Sequence, residues 1–288
     1  MSQRAWKLLD ILEETSRFFD SRDLENGRLQ AELLLAAILN IKRLDLYLQF
    51  ERLLLADEVD LYRDYVRQRL QRVPVQYIVG VAAFRNLELS VTPDVLIPRP
   101  ETEILVDVAL QYLPDGGRAL DLCCGSGAIA LSLAQEAATA QVVAADISEA
   151  ALKVAKANGV SHELQERVEW FCGDFFAPLA GAAPFDIVVC NPPYVRHGDL
   201  AYLEPEVQDH EPHLALDGGE DGLDCYRRIV QEAPGFIRPG GYLLMEVGEG
   251  QSTAVEALLA QVASFSEVQT KPDLNGVPRV IVARISSS

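Results

Sequence analysis

The sequence predicts an α/β fold: a doubly wound, mainly parallel sheet that follows a small N-terminal helical domain and a connecting β-hairpin. Three observations carry this. Apolar residues in the first 80 positions recur at three- and four-residue steps. From Glu101 onward, short apolar runs alternate with helical patterns. The first of those runs leads through a glycine loop into a helix.

The elements follow in order. Ala5, Leu8, Leu9, Leu12, Ser16 and Phe19 share one helical face. Leu33, Leu34, Ala37, Ile38 and Ile41 share a second, and Val59, Tyr62, Val66, Leu70 and Val73 a third, stopped by Pro74. Their simplest use is the core of a helical bundle. Val81–Phe84 and residues 87–91 flank Arg85-Asn86 and read as a hairpin. Pro93, Pro98 and Pro100 then interrupt regular structure. Helices are predicted over 101–112, 128–135, 149–157, 226–237 and 255–262. Strands are predicted over 118–122, 141–145, 168–172, 187–190, 241–247 and 280–283. Strands this short and apolar suit a parallel sheet covered on both faces. The expected domains are a helical bundle over 1–80, a hairpin linker over 81–97 and the α/β domain over 98–288.

Composition narrows the function. The chain has 288 residues, room for one or two domains. Its 49% hydrophobic and 24% charged content is that of a globular protein. Lys and Arg total 25 against 43 Asp and Glu, a net charge of −18. That charge repels a phosphate backbone, so direct nucleic acid binding is not expected. Cys123, Cys124, Cys172, Cys190 and Cys225 are odd in number and lack C-x-x-C spacing, and only His162, His197, His210 and His213 accompany them. Neither a disulfide framework nor a metal site is expected. Arg4, Lys7 and Asp10 precede no long apolar stretch, and the longest apolar run, 33–39, is too short for a bilayer. A cytoplasmic monomer without membrane contact is the expectation.

The segment Asp121-Leu-Cys123-Cys124-Gly125-Ser126-Gly127 stands between a predicted strand and a predicted helix. Glycines let a ligand approach the backbone, and the helix N-terminus offers free N–H donors. Asp146, at the end of the next strand, stands where such folds place a carboxylate for ribose hydroxyls. Gly125-x-Gly127-x-x-Ala130 matches a dinucleotide fingerprint. Asp121, however, disfavours a pyrophosphate and favours a ligand with a sulfonium and an ammonium, namely S-adenosylmethionine. A plain strand-to-helix turn is the third possibility. Asp174 and Phe175 follow the third strand of the sheet. They could accept from and stack on adenine, or serve as a helix cap and a core ring.

Asn191-Pro192-Pro193-Tyr194 follows a strand directly, at the sheet edge where α/β folds bind ligands. The two prolines fix φ and remove two donors, leaving a stiff backbone with spare carbonyls. The Asn191 side-chain oxygen and the Pro192 carbonyl can each accept one N–H of a planar –NH2 group, and Tyr194 can stack on it. Such a nitrogen is a poor nucleophile, so alignment with a sulfonium methyl must supply most of the rate.

With these residues in view, the sequence resembles the class I, S-adenosylmethionine-dependent N5-glutamine methyltransferases that modify peptide chain release factors. The likeness extends over residues 74–80 with Phe84, 97–103, Glu211-Pro212, 215–223, and 273–276 with Arg279-Val280. The string from Pro98 to Glu103 separates release-factor enzymes from relatives that methylate a ribosomal protein. The resemblance implies a seven-stranded sheet and, as acceptor, the glutamine of the Gly-Gly-Gln loop of a bacterial release factor. It implies that Asn191, Pro192 and Tyr194 hold that amide. It also implies that Cys123 to Gly127, with Asp146, Phe175 and Asn191, line the S-adenosylmethionine site, and that the N-terminal helices help dock the release factor. S-adenosylhomocysteine would be the product. Cys123-Cys124 stands where Gly-Thr is common in the family, and cysteine is small enough for the loop. Arg99, Glu101 and Thr102 read either as neighbours of the methionine end of the cofactor or as a helix start. Residues 218–222 read as a channel border or a surface turn. Three other readings remain: an N6-adenine methyltransferase acting on nucleic acid, a nicotinamide-dependent dehydrogenase, and a non-catalytic binding module.

Overall fold

The apolar spacing near the N-terminus does produce helices: α1 (Leu8–Asp20), α2 (Gly27–Leu39), α3 (Ala56–Leu70) and a single turn, α4 (Val75–Val79). The computed structural model describes residues 6–287, so Arg4 and Ala5 lie outside the described residues. Leu8, Leu12 and Phe19 of α1 are buried as expected, with Ile11 and Thr15 in place of Leu9 and Ser16. In α2 the predicted face is corrected. Ala31, Leu34, Leu35 and Ala36 face inward, whereas Leu33 and Ala37 are exposed. Apolar residues nearly surround this helix, so spacing alone does not choose a face; a polar contact does. Glu32 is 1% exposed. Its carboxylate accepts from Arg28 Nε at 2.6 Å, Arg43 Nη1 at 2.9 Å and the Tyr47 hydroxyl at 2.7 Å. Burial alone would push the Glu32 carboxyl up; the Tyr47, Arg28 and Arg43 hydrogen bonds hold it below its ordinary value.

Glu32→Gln is therefore expected to lower stability at neutral pH by about 1–3 kcal/mol, read by urea denaturation. A carboxyl held low in the fold stabilises above its unfolded pKa and loses that contribution as pH falls through the folded value. The gap between variant and wild type should close in acid. A gap that persists there would disprove the ionic contribution.

Tyr62 of α3 donates its hydroxyl to Ala31 O at 3.2 Å. Pro74 follows the end of α3, and Gly80, at φ +80°, terminates α4, which the sequence reading did not anticipate. Residues up to Val81 form one compact unit together with Glu204–His210 from far along the chain. Arg69, 4% exposed, donates to Gln30 and to Glu206, and Arg72 reaches the same Glu206 oxygen at 3.3 Å.

The second unit comprises Ala82–Leu203 and Glu211 onward. It begins in a hairpin of β1 (Val81–Phe84) and β2 (Leu87–Ser90). Phe84, Leu87 and Leu89 are buried in the same core as α5 (Thr102–Tyr112) and α6 (Ala128–Glu136). Seven strands form the sheet: β3 (Arg118–Leu122), β4 (Gln141–Asp146), β5 (Val168–Cys172), β6 (Phe185–Cys190), β7 (Ile237–Glu246), β8 (Phe265–Pro272) and β9 (Pro278–Ile285). Their order is β5-β4-β3-β6-β7-β9-β8, parallel except for β9, which runs against both neighbours. Alternate residues serve opposite faces. Ala119, Val142, Ala144, Ile187 and Val189 pack on the side of α5 and α6. Leu120, Leu122, Val143, Ala145 and Val188 pack on the side of the helices Asp224–Glu232 and Ser252–Ala260. This is the doubly wound arrangement expected.

Two predictions along this unit are corrected. The helix expected over 226–237 ends at Glu232, where Pro234 follows, and Ile237 already belongs to β7. Strand β8 was not predicted, because most of its residues are exposed at the sheet edge and show no apolar alternation. The helix α7 (Glu149–Ser161) contributes a fully buried Asn158. Its side chain bonds Ser90 N at 2.7 Å, Ser90 O at 3.0 Å and Ser126 O at 3.0 Å, tying the hairpin to the glycine loop.

Candidate active site

The carboxyl ends of β3, β4, β5 and β6 are aligned. Leu122 pairs with Ala145 and Cys190, and Asp146 pairs with Cys172. The strand order reverses around β3, so the loops after these strands flank a topological switch point. After β3 the chain turns through left-handed φ at Cys123 (+59°), Gly125 (+53°) and Gly127 (+83°). Gly125 N donates to Asp146 Oδ2 at 2.8 Å, and Ser148 N donates to Asp146 Oδ1 at 2.9 Å. A carboxylate has about four acceptor positions, so about two remain for a ligand.

These loops enclose a cavity of about 280 Å³. Of the residues singled out in the sequence, Cys123, Gly125, Asp146, Asp174, Phe175, Asn191 and Pro193 line it. Asp94, Ile147, Leu214, Asp217 and Cys225 line it as well, without having been singled out as site residues. The wall carries the carboxyls of Asp94, Asp146, Asp174 and Asp217 and no lysine or arginine. Asp174 is paired with Arg228, but the carboxyls of Asp94, Asp146 and Asp217 have no lysine or arginine on the wall beside them, which disfavours a pyrophosphate and favours a ligand with net positive charge. A Cβ at Gly125 would meet no protein atom within 4 Å, so the backbone there is open to close approach.

The remaining candidates sit elsewhere. Asp121 is fully buried beneath the loop; its Oδ2 accepts from Ala130 N at 2.9 Å, and burial pushes its carboxyl well above the ordinary range. It caps the first turn of α6 and is not a wall residue, so the wall aspartates carry the charge argument in its place. Cys124 and Ser126 are buried under the turn. Gly127 answers a packing need: a Cβ there would lie 3.0 Å from the Trp170 ring and 3.2 Å from Ala155. Pro192 is buried. Tyr194 does not line the cavity, and burial pushes its hydroxyl up to about 12.

At the end of β6, Asn191 Nδ2 donates to Thr102 Oγ1 at 3.1 Å, which leaves the Asn191 side-chain oxygen as a free acceptor. The loop after it is held from outside. Gln251 Nε2 donates to Tyr194 O at 2.9 Å and Gly222 O at 3.3 Å. Gly218 and Gly222 lie so close that a Cβ would fall 2.7 Å from Tyr194 Cα and 2.5 Å from Tyr194 O, respectively. The segment 218–222 is thus the cradle of the Asn191–Tyr194 loop. Gly222→Ala combines that clash with φ +76°. It is expected to cost about 1–3 kcal/mol and to lower activity more than thermal stability. Wild-type kcat in that variant would dismiss the cradle. Arg99 Nη2 donates to Glu211 Oε1 at 2.6 Å, and Glu211 Oε2 accepts from Ile97 N at 3.3 Å, fixing the other border. Arg228 lies over the Phe175 ring, 4.7 Å from its centroid, and grips both Asp174 oxygens at 3.0 and 2.9 Å. Among the described residues, no group of three or more His, Cys, Asp or Glu side chains could hold a metal ion.

Residues 10–80 match the PrmC N-terminal domain family and residues 100–209 the methyltransferase small domain family. A release factor glutamine methyltransferase from Geobacter sulfurreducens is 42% identical over 280 residues, covering 97% of each chain. The chain belongs to the release factor glutamine methyltransferase family. A relative of that name from Gloeobacter violaceus is 43% identical over 88% of this chain and 89% of its own. Among solved structures, a methyltransferase from Pyrococcus furiosus aligns with a TM-score of 0.54 and 16% identity over 71% of this chain and 91% of its own. The hMettl16 catalytic domain in complex with MAT2A 3'UTR hairpin 1 aligns with a TM-score of 0.59 and 13% identity over 83% and 84%. At those identities the structures establish the class I methyltransferase fold alone.

Proposed function

We infer that this enzyme methylates a release factor glutamine, with S-adenosylmethionine held in the acidic cavity and the glutamine amide held at Asn191. The observation that carries it is the placement of Asn191, acceptor oxygen free, in the same wall as Gly125 and Asp146. The cavity's carboxyls and the open backbone at Gly125 fit that cofactor. Asp146 would take its ribose, Gly125 its close-lying part, and Phe175 with Asp174 its adenine. When bound, it supplies an electrophilic methyl group.

The protein's own task is to orient a poor nucleophile. The Asn191 side-chain oxygen accepts one amide N–H and the Pro192 carbonyl the other, which fixes the amide plane so that the face of the nitrogen bearing the lone pair is turned toward the methyl donor. Both acceptors also favour the positive charge that grows on nitrogen before its proton leaves. Pro192 and Pro193 keep the acceptors from relaxing.

We assign the acceptor to the Gly-Gly-Gln loop and docking to the N-terminal helical unit. That unit exposes Leu44, Leu48, Leu53 and Leu55 between 59% and 84%. We assign action to a monomer in the cytoplasm, on a protein and not on nucleic acid. The net charge of −18 and the free cysteines support this reading. Incubation with unmethylated release factor, duplex DNA and methyl-labelled S-adenosylmethionine, followed by peptide mass spectrometry, tests the reading. Label on the glutamine is expected; label on DNA adenine would overturn it.

A further inference from the structure

Behind Asn191 runs a polar chain that reaches into the sheet. Thr102 opens α5 and is 5% exposed; Glu246 ends β7 and is 3% exposed. Asn191 Nδ2 donates to Thr102 Oγ1 at 3.1 Å. The Thr102 and Asn191 side chains both act on the Glu246 carboxyl and pull its titration down, while its Oε2 is buried without a hydrogen-bond partner. An ionised carboxylate can only accept. The Thr102 hydroxyl must then donate toward Glu246, which leaves its lone pairs for Asn191 Nδ2. The polarity of the whole chain follows from its carboxylate end.

That polarity matters because the two ends of an asparagine amide are almost the same size. In the observed orientation the oxygen is free to accept from a substrate –NH2. Turned over, Asn191 would point two N–H donors at two N–H donors, and the acceptor would be lost. We propose that Thr102 and Glu246 are positioning residues that fix the orientation of the Asn191 amide and thereby set the rate of methyl transfer. The role rests on the amide-transfer reading above.

The groups that act on Glu246 come from several elements: Glu101 before α5, Asn191 and Tyr194 after β6, and Arg279 on β9. Burial pushes the Glu246 carboxyl up, Thr102, Arg279 and Asn191 pull it down, and Glu101 pushes it up, with a result of about 7. Protonated, Glu246 becomes a donor itself, and the chain can reverse. Methyl transfer should therefore fall as pH drops through neutrality.

The test measures kcat and KM on unmethylated release factor across that range. Thr102→Val keeps the shape and removes the hydroxyl. It is expected to lower kcat about tenfold to a hundredfold while KM for the release factor moves less than about threefold. Thr102→Ser should recover most of the loss. Glu246→Gln can still accept through its amide oxygen but cannot titrate, so its kcat profile should lose the acid limb of the wild type. A Thr102→Val enzyme with wild-type kcat, or serine and valine variants that are equally slow, would overturn the positioning role. So would a Glu246→Gln enzyme that keeps the wild-type acid limb. If circular dichroism shows that Glu246→Gln does not fold, the Thr102 pair decides alone. A wild-type enzyme that leaves the glutamine unlabelled overturns the amide-transfer reading and the positioning role together; active wild type with unaffected variants overturns the positioning role only.

Discussion

Asn191→Ala is expected to lose about a hundredfold to a thousandfold in kcat with the fold intact. The side chain is half-buried in the cavity wall and supplies one of two acceptors for the substrate amide. Without it the amide keeps a single tether, the Pro192 carbonyl, and can swing about it, so the alignment that replaces a strong base is lost. The cost to stability should be modest, about 1 kcal/mol, because the Thr102 hydroxyl still has Glu246 to bond. Label transfer in single turnover, compared with a thermal melt, separates the two effects. Activity within about threefold of wild type would refute the amide clamp, since no other cavity residue offers an equivalent acceptor at the end of β6. Asn191→Asp is expected to be as slow. It adds a carboxylate beside buried Glu246, and like charges there resist ionisation together.

The second large effect is expected at Asp146. Its two oxygens already accept from Gly125 N and Ser148 N, so the carboxylate shapes the glycine loop and presents its remaining lone pairs to the cavity. Asp146→Ala removes both roles. It should weaken S-adenosylmethionine binding about tenfold to a hundredfold, the range expected for a lost charged hydrogen bond of about 1.5–3 kcal/mol. Asp146→Asn should fall between. One amide oxygen can satisfy Gly125 or Ser148 but not both, and its –NH2 faces a donor. Titration calorimetry with S-adenosylmethionine reads this directly, and affinities equal to wild type in both variants would remove Asp146 from the cofactor site.

What the sequence revealed was what short-range pattern controls. Strands β3, β4 and β6 are brief apolar runs, buried on both faces, and the loops after β3 to β6 inherit a position at the carboxyl edge from the parallel topology alone. Asp146, Phe175 and Asn191 were therefore legible as wall residues: Asp146 closes β4, Phe175 lies three residues past β5 and Asn191 directly follows β6. Strand β8 was not, because an edge strand with exposed Ser266, Glu267, Val268 and Gln269 carries no buried face to reveal it. The face of α2 was hidden for the opposite reason: apolar residues on most sides leave the choice to Glu32 and its partners from Arg43 and Tyr47. Asp121 misled because its place in the chain, next to the glycine loop, does not reveal that its side chain turns under α6. Thr102 and Glu246 could not be joined in sequence at all. Each ends or begins an ordinary element, and their common neighbour, Asn191, is supplied by a third.

The pairing of Arg69 with Glu206 has a consequence for synthesis. The two residues are 137 positions apart. At about 5–20 residues per second, the ribosome delivers Glu206 roughly 7 to 27 seconds after Arg69. The helices of the first unit emerge early, yet the carboxylate that neutralises their most buried guanidinium arrives only after β3, β4, β5 and β6 have been made. Until then, that corner of the nascent bundle must stay open to water, and a chain released before Glu206 would never seal it.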